Sequence, residues 1–145
     1  MLRDFLAQGD FLFQQKCDNW RAAIDAGAAP LLRRGIIEPS YVQAIKQAHQ
    51  ELPYMVIAPG IMLAHARPEQ GAHGVGLTLM TLAHPIAFGN ERNDPVRLVI
   101  TLATPDATSH VQMLETLMGF LTAEGKVQGL LGAKNYAEAT QVLGA

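Results

Sequence analysis

The stretch Ile57-Ala58-Pro59-Gly60-Ile61-Met62-Leu63-Ala64-His65-Ala66-Arg67-Pro68-Glu69 organises the chain. An apolar run from Tyr54 to Ala58 is cut by Pro59-Gly60, resumes for four residues, and then delivers a histidine, an arginine and a second proline. Each proline fixes one φ, drives the residue before it towards extended geometry and removes a donor, so the segment is stiff. Gly60 supplies whatever dihedral the turn needs. A titratable imidazole at the end of a stiff apolar segment, with a cation two residues on, suits chemistry on an anion. The same pattern fits a structural histidine in a strand-loop with Arg67 simply solvated, and the local residues leave both readings open.

Upstream, Met1 to Gln8 reads as a short helix or tether and Phe11-Leu12-Phe13 as a first strand. Asp18 or Asn19 can cap a helix that begins near Trp20, with Trp20, Ala23, Ile24 and Leu31 at helical spacing. Pro30 should kink or break that helix unless it starts a second segment, and Gly35 ends it. Glu38-Pro39-Ser40 opens another helix, proline suiting the first turn. It directs Tyr41, Val42, Ile45 and Ala48 to the core and ends near Leu52-Pro53.

Downstream, Glu69 to Gly74 is a turn by composition. Val75, Leu77, Leu79 and Thr81 alternate with Gly76, Thr78, Met80 and Leu82, both sets largely apolar, which predicts a strand covered on both faces. Ile86-Ala87-Phe88 reads as a short strand closed by Gly89-Asn90, and Val96 to Ala103 as the second central strand. After a loop over Thr104 to Thr108, Ser109 and Gln112 match a capping box with Ser109 as N-cap, and Val111, Leu114, Met118 and Leu121 form one apolar face. A weaker helix follows over Glu124 to Leu131 and a terminal one over Asn135 to Leu143. Helices interleaved with buried strands predict an α/β fold, a single-domain layered sandwich over residues 1–145 with a central mixed β-sheet flanked by helices.

A chain of 145 residues can bury a real core without staples. Its net charge of −2, with no basic run, argues against nucleic acid as a partner. The single cysteine, Cys17, offers no disulfide framework and fits a reducing compartment. Met1-Leu2-Arg3-Asp4 lacks the apolar region of a signal peptide, and no apolar stretch approaches the ~20 residues a membrane span requires. The expectation is a cytoplasmic domain with no direct membrane insertion.

His65 is the first candidate for chemistry, because a neutral imidazole is nucleophilic and its reference pKa of about 6.5 leaves it largely neutral in cells. His110 belongs to the first turn of a helix, where free N–H groups and the dipole favour an anion, although a solvent-exposed helix-start histidine has the same signature. Arg67 can donate in a planar fork to phosphate oxygens, pair with Glu69, or sit at a docking rim. His49, His73 and His84 read as surface or structural. No His-x-x-x-His or Cys/His pairing supports a metal site. Ser109 has no apparent triad, and Asn93-Asp94-Pro95 reads as a turn with Asp94 hydrogen-bonding within it.

The pattern Ala58-Pro59-Gly60, three hydrophobic residues, then Ala64-His65-Ala66-Arg67-Pro68-Glu69 resembles the active-site segment of the phosphotransferase system (PTS) IIA components. Within the mannitol/fructose superfamily the likeness is to the ascorbate type. Phe88-Gly89-Asn90-Glu91, Asn93-Asp94-Pro95-Val96 and Ser109-His110 follow in the same order, so the resemblance covers nearly the whole chain. Two departures stand out: Ala64 occupies the position where the family usually has proline, and the second helix offers Lys46 and His49 where mannitol-type members have an arginine.

The resemblance implies that His65 is phosphorylated on Nε2 by the phosphocarrier HPr and passes the group to a cysteine of a IIB component serving a membrane IIC transporter. It further implies that His110 stabilises the phosphoryl group, that Arg67 and Ser109 are phosphate-binding, and that no cofactor or metal is needed. Sugar uptake, of ascorbate type, is the implied process. The alternative is a regulatory protein of the same fold in which phosphorylation of His65 controls a non-transport partner; a binding domain with a structural His65 and a metal-dependent hydrolase are more distant. Transient docking calls for a small apolar patch with a charged rim. Ile61, Met62 and Leu63 are the apolar candidates, although Met62 and Leu63 fit the core equally and strand alternation should bury at least one of them; Glu69, Glu91 and Asp106 are candidates for the rim.

Overall fold

The computed structural model describes residues 11–144, so the helix or tether expected over Met1 to Gln8 lies outside the described residues. Strands β1 (Phe11–Gln15), β2 (Val56–Ala58), β3 (Ile61–Ala64), β4 (Gly76–Ile86) and β5 (Val96–Ala103) form one sheet in the order β1-β4-β5-β3-β2. β1 runs parallel to β4 and β3 parallel to β5, while β4/β5 and β2/β3 are antiparallel. The sheet is mixed, as expected.

Strands apolar on both faces must be covered on both faces. One side of the sheet, with Met62, Ala64, Met80 and Val99, packs under α1 (Trp20–Arg33) and α2 (Pro39–Glu51) through Ala23, Ile24, Leu31, Tyr41 and Ile45. The other side carries Ile61, Leu63, Leu77, Leu79, Leu98 and Ile100. It meets Met113, Leu117, Phe120, Leu130 and Ala139 of α3 (Ala107–Thr122), α4 (Lys126–Gly132) and α5 (Tyr136–Gly144). The result is a helix–sheet–helix sandwich with a core on each side. No helix among the described residues is long and apolar enough to cross a membrane.

Several local readings hold and several do not. Asn19 caps α1, its side chain accepting from the Ala22 N–H at 2.9 Å. Pro30 does not break α1. It lies in the last turn, where its missing N–H removes one bond to the Ala26 carbonyl, and its ring is buried in return. The helix then stops at Gly35, whose φ of 71° lets its N–H reach the Leu32 carbonyl at 3.1 Å and the Ile36 N–H reach that of Leu31 at 3.0 Å. α1 approaches β5 so closely that a Cβ on Gly27 would lie 2.6 Å from the Thr101 hydroxyl. Pro59-Gly60 makes the β2–β3 turn, Gly60 at φ 77° and Ala58 opposite Ile61.

Ile86 does not open a separate strand: it closes β4, which runs through His84-Pro85 with an irregular register between Thr81 and Ile86. A bulge is where a strand tolerates a residue without an N–H. α3 starts three residues earlier than expected, and its N-cap is Asp106 rather than Ser109. The Asp106 carboxylate accepts from the Ser109 N–H at 2.8 Å, and an anion at the positive end of a helix is a stronger cap than a hydroxyl. That bond holds the Asp106 carboxyl below its usual range. The buried face of α3 is Met113, Leu117 and Phe120, leaving Val111 and Met118 exposed, because the helix is apolar over more than one stripe.

Candidate functional site

β3 and β5 lie side by side and run the same way, with Ala64 opposite Thr101, so both strands end at one edge of the sheet. His65 follows β3 directly. β5 passes through a short loop into α3, whose first turns carry His110. The two half-buried imidazoles meet with ring centroids 5.6 Å apart and planes tilted by 40°.

His65 Nδ1 lies 2.9 Å from the Leu63 carbonyl oxygen. A carbonyl only accepts, so Nδ1 holds the proton and Nε2 is left with its lone pair. The tautomer is therefore set by the strand that delivers the residue. Burial, with the neighbouring His65 ring adding to it, pulls the His110 pKa below its ordinary value. His110 is thus neutral at cellular pH and offers one ring N–H.

A groove with a volume of ≈ 1270 Å³ opens over this pair between α2, the segment after β3 and the start of α3. Gln43 and Gln47 of α2 line one wall; Tyr54 and Val111, 58% and 53% exposed, bring apolar surface to it. Glu51, Glu69 and Asp106 supply carboxylates, and among the described lining residues Arg67 is the one lysine or arginine. Arg67 is exposed, 4.0 Å from Glu69, an arrangement worth little as a salt bridge and free to turn towards an anion.

The structure brings His65, His110 and Arg67 to one groove. Ser109 does not line it, its N–H being committed to Asp106. Neither substitute for the second-helix arginine reaches the groove: Lys46 pairs with Asp25 at 2.7 Å, and His49 is buried, donating from Nε2 to the Phe88 carbonyl at 2.6 Å. The candidates for an apolar patch belong to the core, the alternative that strand alternation offered for Met62 and Leu63. Ile61, Met62 and Leu63 are all buried because both faces of β3 are covered, and Glu91 lies outside the groove. His73 is exposed and paired with Glu38 at 2.7 Å, and His84 is exposed. Asp94 holds the turn it was expected to hold, accepting from the N–H groups of Phe88, Gly89 and Asn90. Among the described residues, no group of three or more His, Cys, Asp or Glu could hold a metal ion.

Reading along the chain placed Tyr41 in the core but missed what its hydroxyl does there. That hydroxyl accepts from the Ala66 N–H at 3.0 Å and donates to the Leu102 carbonyl at 2.8 Å. Its partners lie 25 and 61 residues away, beyond any local signal.

Residues 4–145 match the family described as phosphoenolpyruvate-dependent sugar phosphotransferase system, EIIA 2. The ascorbate-specific PTS system EIIA component of Salmonella typhi is 40% identical over 114 residues, covering 77% of this chain and 74% of that one. The mannitol-specific cryptic phosphotransferase enzyme IIA of Escherichia coli superposes with a TM-score of 0.89 at 32% identity, covering 98% of this chain and 97% of that one. The fold is also that of enzyme IIAMTL in its complex with phosphorylated enzyme IIBMTL from Escherichia coli. There the TM-score is 0.81 at 23% identity, over 93% of this chain and 94% of that one.

Proposed function

From the premise that this chain belongs to the EIIA 2 family of the phosphoenolpyruvate-dependent sugar phosphotransferase system, we propose that it is a phosphocarrier working through His65. The observation that carries the reading is the Nδ1 contact to the Leu63 carbonyl, which leaves Nε2 as the nucleophile at the floor of an open groove. The Nε2 lone pair attacks the phosphorus of the HPr phosphohistidine; the donor's P–N bond breaks and its electron pair returns to the donor ring. The phosphorylated His65 ring then carries positive charge, which the Nδ1–H bond to Leu63 offsets in part. A positively charged ring is a good leaving group, so the phosphoryl group stays transferable. A IIB cysteine thiolate next attacks phosphorus, the Nε2–P bond breaks, and His65 returns to its starting tautomer.

His110, neutral and beside His65, donates an N–H to phosphoryl oxygens as charge builds on them. Arg67 is the cation within the groove that can swing to the same oxygens. Ser109 stands behind, its amide holding Asp106 at the rim. The process served is sugar uptake, with ascorbate as the transported compound by likeness to relatives that are 40% identical. That compound never touches this chain, and the bound phosphoryl group is the cargo.

The test is phosphorylation by enzyme I, HPr and labelled phosphoenolpyruvate. Acid-labile, alkali-stable label on the wild type, absent from His65→Ala, is the expected result. Label retained on a folded His65→Ala would move the site elsewhere.

A further inference from the structure

We infer that Tyr41 is the positioning residue of this site: one buried phenolic hydroxyl ties the segment that carries His65 to the strand that leads to His110. The inference rests on the relay reading above. Tyr41 is 1% exposed, and its ring is packed in the core between α2 and the sheet. A ring wedged in that way leaves its hydroxyl no more freedom than the helix itself has.

The hydroxyl has a single proton and spends it on the Leu102 carbonyl at 2.8 Å, with the Ala66 carbonyl a longer second contact at 3.2 Å. Its lone pair takes the Ala66 N–H at 3.0 Å. Ala66 lies just past the end of β3, where the sheet ladder has stopped and a half-buried amide needs a new partner. Leu102 lies one residue before the end of β5, on the approach to α3. His65 is thereby gripped from both sides: its own ring on Leu63 upstream, and the backbone of the next residue on Tyr41 downstream. The same oxygen fixes β5, so the separation of the two imidazoles passes through it.

Tyr41→Phe removes the oxygen and keeps the ring. Loosening a reacting group in this way costs rate at saturation, so single-turnover transfer from phosphorylated HPr should fall about ten- to hundredfold. The HPr concentration giving half-saturation should stay within about twofold, since the docking surface is untouched. A merely structural loss would lower the fraction of chain that takes label, not the rate constant of the fraction that does. Wild-type transfer rates in a folded Tyr41→Phe would reduce Tyr41 to core packing. His65→Ala, run in parallel, reports on the relay separately: label on that variant sinks the relay whatever Tyr41→Phe does. If Tyr41→Phe fails to fold, hydrogen exchange in the wild type decides. The Ala66 amide should exchange as slowly as the amides of β5, and exchange at the rate of a solvated loop would overturn the inference.

Discussion

At the scale of single residues, His110 is set apart by its protonation state. Burial and the His65 ring both depress its pKa, so in the proposed transfer it would meet the phosphoryl group as a neutral donor, not as a cation that would trap it. His110→Ala should still accept phosphate, while onward transfer slows about a hundredfold, the usual loss when one donor to a developing oxyanion is removed. Transfer rates from pre-phosphorylated protein check this, and an unchanged rate would make His110 a bystander. Local pattern left the roles of His65 and His110 open; it was the resemblance to a family that singled out the pair, and the structure brings the two rings together in one groove. The role of Tyr41 was not legible. A hydroxyl whose partners lie 25 and 61 residues along the chain leaves no local mark, and only its ring, spaced for the core, could be read.

At the scale of elements, the sandwich depends on how closely α1 lies on the sheet. Gly27 is the contact point, and a methyl group there meets the buried Thr101 oxygen at 2.6 Å. Gly27→Ala should cost about 2 kcal/mol despite alanine's better helix propensity, because the helix must lift or β5 must shift. Thr101→Ala in the same chain should recover part of the loss, since the two changes share one space. Urea denaturation of the three variants measures both effects, and simple additivity would exclude the clash. Strand identity was legible here because β4 and β5 are short apolar runs bounded by turn residues, a pattern that fits a strand covered on both faces. The face of α3 was not legible. Val111, Leu114, Met118 and Leu121 repeat at helical period just as Met113, Leu117 and Phe120 do, and the choice between the stripes is made by the sheet below. The cap was misread for a similar reason: Asp106 and Ser109 are both good caps three residues apart, and the carboxylate won.

At the scale of the whole molecule, one buried imidazole links stability to pH. His49 sits edge-on to Trp20 of α1 and Phe88 beyond β4, with ring centroids 4.7 and 5.5 Å away, and its Nδ1 has no partner. Burial lowers its pKa from 6.5. The unfolded chain therefore binds the proton more tightly than the folded one. The stability this contributes is present in full above about pH 6.5 and is lost as pH falls from there through the lower folded value. His49→Phe should flatten that decline between about pH 7 and 5, read from denaturation midpoints; an equally steep decline would assign it to other groups. The parallel pairing of β3 with β5 has a further consequence. His65 follows β3 directly and His110 lies on the helix that follows β5, so two adjacent strands running the same way bring both imidazoles to one edge of the sheet. The groove wall formed by Gln43, Gln47 and Tyr54 comes from α2 and the segment after it, not from the elements that carry the two imidazoles. On the proposed function, that wall could be exchanged to change the docking partner while the imidazole pair stays as it is.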